Sequence, residues 1–123
     1  MVKVRAITLV LTVVGAACTP GPASVASQSV MDEVAQSYVR LVLAVGEHDE
    51  DYVDAYYGPQ EWRDEVTAEQ LGLPAIEARA DSLIDRLRAL DPPSEELDRL
   101  RFSYLRTQLG SLAAASTCWG ASG

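Results

Sequence analysis

Two runs of helix-spaced apolar residues meet at Asp91-Pro92-Pro93, and no regular element passes through a Pro-Pro pair. On one side Ile76, Ala80, Leu83, Leu87 and Leu90 recur every three or four residues, with Ile84 beside them. On the other side Leu97, Leu100, Phe102, Tyr104, Leu105, Leu109 and Leu112 cover an arc of roughly half a helix circumference. Pro74 suits the first turn of one helix, and Ser94 is the candidate N-cap of the next. The spacing predicts helices over residues 74–90 and 95–115. A connection this short makes them an antiparallel hairpin.

A third helix is predicted over residues 31–48, with Val34, Tyr38, Leu41, Val42 and Val45 on one stripe and Val39 and Leu43 on another face. An apolar surface that broad needs more than one packing partner. Ser29 is a candidate N-cap, and Asp32 and Glu33 in a first turn would suit the helix dipole. The acidic run Glu47-His48-Asp49-Glu50-Asp51 interrupts the pattern. Asp49 or Asp51 can cap a short helix over residues 52–57, which Gly58-Pro59 would end, and residues 61–66 add one turn carrying Trp62. No stretch alternates as a strand. The expected fold is all-α: a helical hairpin packed on a first long helix, one folded domain over residues 30–116 and an irregular tail over 117–123.

The N-terminus has the anatomy of an export signal. Lys3 and Arg5 precede an apolar run over residues 6–17, too short for the ~20 residues a bilayer span needs. Small residues then lead to a cysteine, Gly15-Ala16-Ala17-Cys18, which resembles a bacterial lipoprotein lipobox, with Gly15 where that pattern usually has Leu. The resemblance implies a signal peptide over residues 1–17, lipidation of Cys18, and a lipid-held location in the bacterial cell envelope. Ordinary cleavage after Ala26, giving a secreted or periplasmic protein, is the alternative; a buried N-terminal helix is opposed by Thr19-Pro20-Gly21-Pro22. Residues 18–29, small and rich in Ser, Ala and Pro, are expected to be a flexible tether.

The formal net charge is -8, and loss of Lys3 and Arg5 with the signal would make it −10, because the first acid is Asp32. Nucleic acid is therefore not expected as a partner: an acidic surface repels phosphate. No catalytic set is present. One histidine cannot complete a Ser–His–Asp arrangement or a zinc site, Cys118 has no neighbouring histidine in sequence, and no phosphate-binding glycine loop or other cofactor pattern occurs. Read as a calcium loop from Asp49, the acidic run puts Val53, Asp54 and Gln60 where a ligand, a glycine and a glutamate belong. It is better explained as a solvated helix cap, so no metal or cofactor is expected. Tyr52, Tyr56, Tyr57 and Trp62 are the candidate binding surface for a peptide, glycan or protein, against the alternative that they are packing residues.

His48, Asp49, Tyr52, Val53, Asp54, Ala55, Tyr56, Tyr57, Gly58, Pro59, Glu61 and Trp62 resemble a segment near the start of a group of larger, uncharacterised bacterial proteins. Arg101-Phe102 and Tyr104-Leu105-Arg106-x-Gln108-Leu109 also look similar to that group, and the likeness spans roughly residues 34–112. The resemblance implies an all-helical, zinc metallopeptidase-like protein with a His-Glu-Gly-x-Pro-Gly-His segment further along. This chain has no such segment, so no metal ligand or catalytic residue carries over. Beyond Leu112 the apolar pattern decays, and in a shifted frame the codons for Cys118-Trp119-Gly120 spell Leu-Gly. A frame change near Ala115 that truncates a longer protein is therefore expected, against the alternative of a genuine frayed tail. The implied function is an exported, lipid-anchored scaffold segment, non-catalytic alone, or else a self-contained envelope binding module.

Overall fold

The structure, a computed structural model describing residues 22–120, is helical with no strand among the described residues. Among the described residues four helices occur, α1 (Pro22–Gly46), α2 (Gln60–Glu69), α3 (Leu73–Arg88) and α4 (Glu96–Gly120), with one 3-10 turn at Glu50–Tyr52. The α3–α4 hairpin forms the most extensive interface, and α1 lies against both of its helices. The expected architecture is thus the observed one.

Side-chain ties fix the directions. Along α1, Gln28 donates to Asp98 at 3.1 Å, Asp32 pairs with Arg101 at 2.6 Å, and Tyr38 donates to Gln108 at 3.4 Å. Partners that advance together make α1 and α4 parallel. Glu33 pairs with Arg86 at 2.6 Å, near the end of α3, so α3 runs against both. These ion pairs are solvent-exposed and contribute at most ~1 kcal/mol each, so they set register more than stability.

Stability comes from the seam. The buried residues of α3 are Ile76, Ala80, Leu83 and Leu87, and those of α4 are Phe102, Leu105, Leu109, Leu112 and Ser116. Both sets step by three and four, the spacing that keeps one narrow stripe facing a partner helix. On α1, Leu41, Leu43, Ala44 and Val45 are all buried, a wider arc than one partner can cover. The reason is that the C-terminal half of α1 also packs against α2 and the 3-10 turn.

Several boundaries differ from the sequence-based expectation. The helix starts at Pro22, so residues 22–29 are not a flexible tether. Proline fits the first turn, where its missing N–H has no partner to lose. Partly buried Val30 and buried Met31 carry the packed face into this stretch, and Gln28 ties it to α4. Ser29 is consequently interior to the helix rather than its cap, and Asp32 and Glu33 serve as interhelical ion-pair partners. Residues 1–21, including Cys18, lie outside the described residues, as do residues 121–123.

The expected helix over residues 52–57 does not form. The Asp49 carboxylate accepts from the Asp51 N–H at 3.1 Å and closes one 3-10 turn, after which Val53 is extended (φ -124, ψ 93). Val53 packs against Gly46 so closely that a Cβ there would meet Val53 Cγ2 at 3.0 Å. Placing Val53 on the core draws the backbone out of helical geometry. α2 is longer than the single turn expected, because Trp62 and Val66, one turn apart, both pack on the core. At the other end α4 continues to Gly120, so residues 117–120 are not an irregular tail. Ser116 is 1% exposed and its hydroxyl donates to the Leu112 carbonyl at 3.0 Å, which removes the penalty of burying it. Leu97, Leu100 and Tyr104, expected within the packed arc, are exposed.

Candidate functional site

The segment between α1 and α2 carries most of the expected binding residues, and each is held by a different local device. Tyr52 closes the 3-10 turn and sets its ring edge-on to Trp119 at 5.7 Å and 86°. Tyr56 turns back so that its hydroxyl donates to the Pro59 carbonyl at 3.1 Å, with the Arg63 guanidinium 5.5 Å from the ring centre. Gly58 makes this possible: any Cβ there would overlap the Tyr56 ring. Tyr57 is 97% exposed. Trp62, on α2, is half-buried and covered by the Arg40 guanidinium at 4.3 Å.

The ring contact of Tyr52 is therefore with the end of α4 and not with Tyr56. Because residues 52–57 are not helical, the one-turn spacing that would have placed Tyr52 and Tyr56 on a shared face does not apply. What the segment presents is a half-buried aromatic pair, Tyr52 with Trp119, and one projecting ring, Tyr57. Beside the pair is a shallow cavity of about 350 Å³ lined by His48, Asp49, Leu73 and Trp119. Trp119 was the residue sequence reasoning missed. Its signal was available: continuing the three-and-four steps of Phe102, Leu105, Leu109 and Leu112 reaches positions 116 and 119.

The acidic run is occupied with local structure. Glu47 accepts from the Thr67 hydroxyl at 3.3 Å, and Asp49 caps the turn. His48 Nε2 lies 2.6 Å from the Leu71 carbonyl, to which it must donate, so that nitrogen carries the proton. The contact clips the loop before α3 to the end of α1. Among the described residues no group of three or more His, Cys, Asp or Glu side chains is arranged to hold a metal ion.

Two tyrosines have altered acidity. Burial, with the phenols of Tyr104 and Tyr52 close by, pushes the Tyr38 hydroxyl up to about 12. Burial also raises Tyr52. Both phenols are protonated near neutral pH, and Tyr38 donates its hydroxyl hydrogen to Gln108 rather than serving as a base. Between α2 and α3, Arg79 donates twice to Glu69, once at 3.1 Å. That pairing holds the Glu69 carboxyl below its ordinary value and raises Arg79. Cys118 is exposed on α4, and Cys18 is outside the described residues. No helix among the described residues is long and apolar enough to cross a membrane.

No protein-family model, curated protein or solved structure matches this chain.

Proposed function

We propose that this chain is an exported helical scaffold segment, anchored to the bacterial cell envelope by lipid on Cys18 and non-catalytic alone, of the kind that opens a larger metallopeptidase-like protein. The observation that carries the scaffold reading is the apolar edge of α4. Leu97 is 77% exposed, Leu100 62% and Tyr104 57%, on one side of a helix whose opposite side is fully packed. A run of large apolar side chains in water is the mark of a surface meant to be covered by protein. The anchor reading rests on the Lys3-to-Cys18 signal anatomy. It also has a geometric consequence. With α1 beginning at Pro22, a lipid on Cys18 would hold the bundle within ~15 Å of the bilayer, because a few residues extend at most ~3.5 Å each.

Two measurements test the two parts. Expressed in a lipoprotein-processing bacterium, the chain is expected to partition into detergent and to carry a diacylated N-terminal cysteine by mass spectrometry. Cys18→Ser is expected to move it to the aqueous phase; an unmodified wild-type chain in the aqueous phase removes the anchor. For the scaffold, the protein is expected to bind an apolar dye, and Leu97→Gln/Leu100→Gln to abolish most of that signal without loss of helicity. Dye binding unchanged by those substitutions would remove the exposed edge as its cause.

A second reading, a binding module for a peptide, glycan or protein, is favoured by the near-complete exposure of Tyr57. It predicts that Tyr57→Ala abolishes partner capture while leaving stability untouched.

A further inference from the structure

A cleft of about 230 Å³ opens between α1, α2 and α3, and none of Tyr52, Tyr56, Tyr57 or Trp62 lines it. Its floor includes Leu41, Val66 and Leu83, which are 3%, 4% and 7% exposed. Its polar lining includes three arginines, Arg40, Arg79 and Arg86, against one carboxylate, Glu69. In a chain of formal net charge -8, with 18 acids against 10 basic residues, a wall with more guanidiniums than carboxylates stands apart from the average surface.

The guanidiniums are held in place from outside the cleft. Arg40 gives Nε to Glu65 at 3.1 Å and stacks on Trp62 at 4.3 Å. Arg86 gives one terminal nitrogen to Glu33 at 2.6 Å. Neither Glu65 nor Glu33 lines the cleft. Each of these two arginines keeps most of its N–H donors, in a planar fork that suits a carboxylate. Arg79 is different: two of its nitrogens already engage Glu69, so it completes the wall without offering the same capacity.

We infer that this cleft binds a small apolar monocarboxylate, with its hydrocarbon part on Leu41, Val66 and Leu83 and its carboxylate between Arg40 and Arg86. The unused guanidinium N–H donors of Arg40 and Arg86 select an anion, and the apolar floor selects one with a hydrocarbon body. The volume, below the ~300 Å³ at which drug-sized pockets begin, limits that body to a short chain. The free carboxylate of a short acyl chain and that of a peptide C-terminus share this chemistry. All the cleft residues fall within 37–86, so the inference stands whether or not Cys18 is lipidated.

The test is a titration of the full chain, isotopically labelled, followed by amide chemical shifts. Three probes are used: hexanoate for the acyl source, N-acetyl-leucine for the peptide source, and hexanamide as the uncharged control. Saturable shifts confined to the residues around the cleft are expected with one or both carboxylates, the tighter probe naming the source, and hexanamide is expected to be at least about tenfold weaker. Arg40→Met/Arg86→Met is expected to weaken binding on the order of tenfold, and Arg40→Lys/Arg86→Lys, which keeps the charges but not the planar fork, to weaken it by a smaller but measurable factor. Arg106→Met, outside the cleft, is expected to leave it unchanged. No localised shift up to about 10 mM of either carboxylate overturns the inference. So does equal binding of hexanamide, or an equal loss with Arg106→Met. If the double Met variant unfolds, the Lys pair and the hexanamide control still decide the matter.

Discussion

The α3–α4 hairpin and the segment joining α1 to α2 are built on opposite principles. In the hairpin every third or fourth side chain is buried against its partner, and no single hydrogen bond matters much. Residues 47–59 contain no fully buried residue, and their shape is set by individual contacts: Asp49 on Asp51, His48 on Leu71, Tyr56 on Pro59. Repetition spreads the stabilising free energy over many positions of the hairpin. The connecting segment concentrates it in a few, and leaves Tyr57 with no packing role at all. The sharpest way to break this comparison is a matched pair of truncations. Leu109→Ala, at a fully buried seam position, is expected to destabilise by about 2–5 kcal/mol in denaturant unfolding, enough to unfold a marginal domain. Tyr57→Ala is expected to change stability by less than about 0.5 kcal/mol. Similar effects at the two sites would mean that the seam does not hold the fold.

Trp119 joins the two regimes, since it continues the hairpin stripe and its ring meets Tyr52 in the connecting segment. Trp119→Ala is expected to destabilise by about 1–2 kcal/mol, less than a core truncation because the side chain is only half-buried. It should also raise amide exchange across residues 49–53 selectively, because the turn loses its aromatic contact with the hairpin. Uniform exchange changes across α3 and α4 would instead make Trp119 an ordinary core residue.

This contrast also explains what was legible in the amino acids. Residues with a period, such as Ile76 to Leu87 and Phe102 to Leu112, declare both their element and its buried face. Prolines 92 and 93 declare the break between them. Together with the stripe of Val34, Tyr38, Leu41, Val42 and Val45, these imply the all-α hairpin on a long first helix. The connecting segment misled because its local signals were ambiguous: an acidic cap followed by Tyr, Val, Ala and Tyr fits one helical turn, and only the contact of Val53 with Gly46 draws it out. The start of α1 misled for a related reason. Pro, Ala and Ser suit a tether and a first helical turn equally, and Gln28 chooses between them by reaching Asp98, 70 positions away. Of the candidate site, the individual residues were legible but not their grouping. Tyr52 pairs with Trp119 across 67 positions, a relation that exists only once α1 and α4 are parallel.

Between the regions sits a single strained residue. Gln70 ends α2 in the left-handed conformation (φ 51), with its N–H donating to the Val66 carbonyl at 3.2 Å. A side chain there costs roughly 1–2 kcal/mol relative to glycine, part of which glycine returns through its freer unfolded chain. Gln70→Gly is therefore expected to stabilise by somewhat less than about 1 kcal/mol, a rise in Tm of a few degrees for a domain of this size. A fall in Tm would mean that the Gln70 side chain makes a contact worth more than its backbone strain.

The subtlest difference lies along the α1–α4 face, where Tyr38 is sheltered and Tyr57, in the connecting segment, is not. Burial raises the Tyr38 hydroxyl from 10.0 to about 12 in the folded protein, while the unfolded chain keeps the ordinary value. The sign follows from proton counting. Below about pH 10 both states hold the proton and Tyr38 contributes no slope. Between about 10 and about 12 the unfolded chain releases a proton that the native state retains, so unfolding is favoured as pH rises. Tyr38→Phe removes the titrating group and is expected to flatten the alkaline loss of stability, at the cost of the weak 3.4 Å bond to Gln108 near neutrality. The wild-type and variant curves should therefore cross, or at least converge, on the alkaline side. If Tyr38→Phe leaves the alkaline slope where it was, the burial of Tyr38 between α1 and α4 is not what sets the alkaline limit of the fold.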